Sequence, residues 1–181
     1  MSLDPAYAVL FIWDVENARL FSRKVPGMMK NILMSLKTVD ERYHIVKKVL
    51  VGNLNIDFIQ NNMVYLRREG FIIIDAPHRL RICAVEDCGV VVQPSWNRRL
   101  PYERPFDVAD RIILGVILDE ALENRLPPNV LLASSDYEFT EPLRTLRSHR
   151  YKAMLAADVA GVSGCCGLII GFFFFSHAYE I

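Results

Sequence analysis

Cysteine is scarce: four in 181 residues, too thin a density for a disulfide-stapled module. A charge of one dominant sign is missing too, because 21 Lys and Arg balance 21 Asp and Glu. No global field therefore argues for nucleic acid or an acidic substrate, and any such partner needs a locally segregated patch. There is no G-x-x-x-x-G-K-[ST] phosphate loop, no G-x-S-x-G elbow and no internal repeat. The first residues carry no basic stretch ahead of an apolar core, so a secretion signal is not expected, and the compartment expected is intracellular, cytoplasmic or nuclear. Cys83 and Cys88 resemble half a zinc site, but the remaining pair, Cys165 and Cys166, is adjacent and poorly spaced for chelation.

Hydrophobic residues make up 52% of the chain, enough for one domain with a core. They are unevenly placed. Residues 159–176 carry no formal charge, which sets the 158–181 tail apart. Three readings of the tail stand side by side: a membrane span, weakened by its glycines and serines and its lack of basic flanks; an added core element; or a variant terminus.

The apolar pattern alternates. Tyr7–Trp13 is a short continuous run of β-formers, as in a strand buried on both faces. Pro26 and Gly27 precede a helical period through Met29, Ile32, Leu33 and Leu36; Ile45–Val51 predicts a second strand; Ile56, Ile59, Met63 and Leu66 predict a helix stopping near Gly70; Phe71–Ile74 is a third strand. Residues 81–105, rich in proline nearby, read as an insertion with an extra strand around Val90–Val92. A helix over about 107–124, a break at Pro127 and Pro128, a strand at Val130–Ala133, a helix over about 137–149 and a strand at 151–156 complete the order. Strands alternating with helices predict an α/β domain over 1–157, with a mostly parallel central sheet covered on both faces.

Ligands in such folds collect beyond the carboxyl ends of the strands. Asp14 and Glu16 follow the first strand, Asp136 follows Val130–Ala133, and Asp107 and Asp110 lie one turn apart at a helix start. Carboxylates that converge repel one another unless a cation neutralises them. Hard oxygen donors suit Mg²⁺ or Mn²⁺, which polarise a phosphate and activate water, so phosphodiester hydrolysis is the chemistry indicated. Each acid also has a blander role. Any of them can cap a turn, and Ser135-x-x-Glu138 matches a capping box.

FIWDVEN (11–17), DVADRIILGVILDEAL (107–122) and LLASSDYEFTEPLRTLRSHRYKAMLA (131–156) together resemble the three blocks of the NYN domain, a branch of the PIN-like ribonucleases, most closely its plant-type form with FWDxEN, D-x-x-D-K and LISGDRDF. The resemblance spans roughly residues 7–157 apart from the insertion. It implies a three-layer PIN-like fold, a metal-dependent endoribonuclease, and metal-holding, catalytic roles for Asp14, Asp110 and Asp136. Asn17 would orient the substrate, and Glu16, Asp107, Ser135 and Glu138 would support the site. The chain departs from the pattern in three places. Asn53, in Val51-Gly52-Asn53, stands where such proteins often have an acid; Ser135 replaces a glycine; Glu138 replaces an aspartate. A domain that binds RNA or a protein partner without cutting is the alternative.

Local charge is segregated. Residues 19–48 hold eight Lys or Arg, including Arg19, Arg23 and Lys24, against two acids. Arg144 and Arg147 share a helical face, and the insertion region offers Arg79, Arg81, Arg98 and Arg99 with nearby aromatics, a mix suited to phosphates and bases of RNA.

Overall fold

A computed structural model describes residues 3–18, 25–76, 79–81, 91–92, 104–106 and 108–156. The tail at 158–181, most of the insertion, and the candidate residues Arg19, Arg23, Lys24, Arg98, Arg99 and Asp107 lie outside the described residues.

Five strands form one all-parallel sheet: β1 (Ala8–Asp14), β2 (His44–Gly52), β3 (Phe71–Asp75), β7 (Asn129–Ala133) and β8 (Lys152–Ala156), in the order β3-β2-β1-β7-β8. The sheet is central because β1 is buried at every position and presents apolar side chains alternately to two sides. Val9, Phe11 and Trp13 face α1 (Val25–Val39) and α2 (Asp57–Arg68), packing with Met29, Ile32, Leu36, Ile59 and Leu66. Leu10 and Ile12 face α3 (Val108–Leu122) and α4 (Thr140–Ser148), packing with Ile113, Ile117 and Leu143. The domain is thus three-layered, helix on sheet on helix.

Between β3 and α3, the strands β4 (Arg79–Arg81), β5 (Val91–Val92) and β6 (Arg104–Phe106) form a small antiparallel sheet in the order β5-β4-β6. The sequence pattern predicts only the β5 strand there, since runs of two or three residues carry no readable period.

Two boundaries differ from expectation for identifiable reasons. Helix α1 begins at Val25, so Pro26 and Gly27 lie inside its first turn. A proline is tolerated there because the first-turn N–H groups have no intrahelical acceptor anyway. The first strand runs one residue further than its apolar run, because Asp14 continues the ladder opposite Val51 of β2. That extension places an acid in the sheet itself.

Candidate active site at the β1–β7 edge

Strands β1 and β7 are parallel neighbours, with Trp13 level with Ala133. The chain leaving β1 goes to the α1/α2 layer, whereas the chain leaving β7 goes to the α4 layer. The carboxyl ends of two adjacent strands whose connections diverge to opposite faces are where ligands collect in open α/β sheets.

Asp14 occupies that edge and is fully buried. Its Oδ1 accepts from the backbone N–H groups of Glu16 (3.1 Å) and Asn17 (3.3 Å), so the carboxylate folds the chain after β1 into a turn around itself. Its Oδ2 accepts from Asn17 Nδ2 (2.9 Å) and from the Ser134 hydroxyl (2.7 Å). Trp13 Nε1 secures the same turn by donating to the Ala18 carbonyl, 2.8 Å away in the core.

The β7 side is built to match. Ser134 is fully buried one residue past the strand, and its Oγ both donates to Asp14 and accepts from the Asp136 N–H (3.1 Å). Asp136 caps the 3₁₀ turn Tyr137–Phe139 through Oδ1, which accepts from the Glu138 N–H (2.9 Å). Its Oδ2 is 3.5 Å from Asn17 Nδ2. A single amide nitrogen is therefore shared between the carboxylates of Asp14 and Asp136, and the Ser135 hydroxyl donates to the Asn17 carbonyl, stapling the two loops.

Asp14, Asn17, Ser135 and Asp136, all singled out by sequence, are brought together; Ser134, which sequence reasoning missed, joins them. The capping box expected of Ser135 and Glu138 does not form. Asp136 takes the cap, because its carboxylate sits two residues before the Glu138 N–H while Ser135 is drawn to the other loop, and Glu138 is exposed. Asp110 lies in the first turn of α3. That helix descends to feed the start of β7, so its first turn lies at the same edge of the sheet as Asp14. One carboxylate oxygen of Asp110 and one of Glu16 are buried.

On the β2 side the edge is closed by turn chemistry. Asn53 Oδ1 accepts from the Asn55 N–H (2.9 Å), and Asp75, level with Gly52, accepts from the Leu54 N–H (3.0 Å). Arg144 and Arg147 are exposed on α4, Arg144 paired with Glu141. Arg79 and Arg81 lie on β4.

A divalent ion at this edge has two carboxylates to meet. Four donors fill the acceptor capacity of Asp14, so an ion reaches Asp14 Oδ2 only where the Asn17 amide now lies. Asn17 is exposed. Asp136 Oδ2, held among the described residues only by the long contact to Asn17, is the readier ligand. Two carboxylates fit an ion such as Mg²⁺, which retains several waters. Among the described residues, no group of three or more His, Cys, Asp or Glu side chains gathers closely enough to hold a metal alone.

No family model matches the chain, and no curated protein matches it. Solved structures similar to it include the crystal structure of a protein of unknown function from Vibrio parahaemolyticus, with a TM-score of 0.50 and 15% identity over 87% of this chain and 83% of that one. At that identity the likeness concerns the architecture alone, and it agrees with the α/β fold built up from the strands.

Proposed function

We propose that the domain is an NYN-type, PIN-like ribonuclease that uses Mg²⁺ or Mn²⁺ to hydrolyse RNA. The observation that carries this reading is the pair of carboxylates, Asp14 and Asp136, facing each other across β1 and β7 with one amide N–H donor between them. A donor shared by two carboxylates marks the place where positive charge is most favoured. In this reading Asp14 and Asp136 hold the ion and Asp110 approaches from α3. The Asn17 amide turns from the carboxylates to the substrate. The bound ion would polarise the phosphodiester and lower the pKa of an attacking water. Ser134 holds Asp14 and the Asp136 backbone in one orientation, Glu16, Asn53, Ser135 and Glu138 frame the edge, and Asp107 would assist them. Arg144, Arg147 and the arginines of 19–24 and 79–99 would carry the phosphate backbone, making binding salt-dependent. An intracellular compartment, cytoplasmic or nuclear, goes with this reading; among the described residues no helix is long and apolar enough to cross a membrane.

The second reading is a domain that binds RNA or a protein partner without cutting it. It is favoured by the saturation of Asp14 with four hydrogen bonds and by the use of Asn53 as a turn-former where an acid would serve a metal.

Incubating the full chain with labelled single-stranded RNA, with and without Mn²⁺, tests both. Metal-dependent cleavage is expected, with Asp136→Asn slower by about 100-fold or more, as when a metal-stabilised transition state loses a ligand. No metal-dependent cleavage, or equal cleavage by the variant, overturns the enzyme. RNA retained without cleavage supports the second reading.

A further inference from the structure

Helix α3 is apolar around most of its circumference. Ala109, Ile113, Ile117 and Glu120 are buried against the sheet, yet the opposite side exposes Leu118 at 57% and Leu122 at 71%. A helix apolar around most of its circumference is ordinarily covered around most of it. The outer face has an internal symmetry as well. At 100° per residue Gly115 lies at its middle, opposite the buried stripe, and a Cβ built there meets nothing within 4 Å. Four residues before it is exposed Arg111, and four after it is exposed Asp119, displaced to opposite sides of the helix face.

We propose that this face is where two copies of the chain meet, their α3 helices packed antiparallel about a two-fold axis through Gly115. In a two-fold contact, residue i of one copy meets j of the other and j meets i. With the axis at Gly115, Arg111 lies level with the partner's Asp119, and Asp119 with the partner's Arg111. Leu118 meets the partner's Ile112, and Leu122 the partner's Val108; both of these aliphatics are half-buried in one copy. The bare backbones of the two glycines face each other and let the helices approach closely. Shifting the axis to Leu118 loses this match, because it brings Arg111 level with the partner's Arg125. Opposite charges at mirrored positions on an apolar face favour a second copy over an unrelated partner. A contact of one helix per copy is at the small end of stable interfaces, so the expected dissociation constant is ~1–100 μM.

Sedimentation equilibrium of the full chain from ~1 to ~200 μM tests the pairing over the range where such contacts form. The mass is expected to rise with concentration from 20.7 kDa towards twice that value. Leu118→Glu should stay monomeric throughout with an unchanged melting temperature, because the side chain is exposed in one copy. Arg111→Asp and Asp119→Arg should each weaken association by about 10-fold, and the two together should restore it to within about 3-fold, since the pair is re-formed with its signs exchanged. A wild type that stays monomeric at the highest concentration overturns the proposal. So does a dimer that survives Leu118→Glu, or a charge exchange that fails to restore association. A monomer whose melting temperature falls on Leu118→Glu also overturns it, and shows that the face is covered from within the chain.

Discussion

Ser134 illustrates how much a short side chain does at this edge. One buried hydroxyl donates to the Asp14 carboxylate and accepts from the backbone of Asp136, joining the two acids by a path separate from Asn17. A hydrogen bond to a buried charge contributes about 1.5–3 kcal/mol. Ser134→Ala is therefore expected to lower stability by about that amount, read as a fall in the urea midpoint with an unchanged slope. A loss below about 0.5 kcal/mol would mean that water replaces the hydroxyl and that the serine does not position Asp14. The acids themselves were legible in the sequence, because Asp14 and Asp136 closely follow two unmistakable apolar runs. Ser134 was not, because its role depends on the register that sets Trp13 level with Ala133. Nor was the bridging geometry of Asn17, whose partner Asp136 is 119 residues away in sequence.

Individual elements divide in the same manner. Helix α2 stops where its sequence says it should: Gly70 takes a φ of 81° just after the helix, a conformation that costs an L side chain energy. Gly70→Ala is expected to destabilise by about 1 kcal/mol, measured by chemical denaturation, although a Cβ there meets no neighbour. An unchanged midpoint would show that the turn relaxes freely. Helix α3 ends similarly on Asn124 at φ 55°, beside backbone bonds from Arg125 and Leu126 to the Glu120 carbonyl. The strands β4, β5 and β6 left little trace in the sequence. Their pairing is made by partners far along the chain and not by any local alternation.

At the scale of the whole molecule, net neutrality hides paired charges that respond to acid. Glu120 on α3 is buried and binds Lys47 of β2 at 2.8 Å and Arg125 at 3.0 Å. These two partners, Lys47 first, hold its carboxyl below the usual range. Asp40, bonded by the side chain and then the backbone of Arg42, is held down from 3.8 to about 2. A depressed carboxylate stabilises the fold above its unfolded pKa, and that contribution is lost as pH falls through the folded value. Stability should accordingly be level near neutrality and fall below the ordinary carboxylate range, with Asp40 contributing to the loss between about pH 4 and 2. Urea midpoints measured across that range check this. Glu120→Gln should flatten the upper part of the fall, and added salt should weaken the Asp40–Arg42 share most. An acid limb identical in the variant would remove Glu120 from the account.

Local chemistry alone determined the alternation of strands and helices, the α/β class and the placement of acids at the carboxyl ends of β1 and β7, because apolar period and turn residues act over a few positions. Tertiary structure decided the rest. The strand order β3-β2-β1-β7-β8 sets β1 beside β7 and sends their following chains to opposite faces, and only that neighbourhood makes two remote aspartates share one amide. It also decided which side of α3 faces the sheet and which remains outward. Pairing between distant strands depends on summed burial across the domain, and no short window of sequence contains that sum.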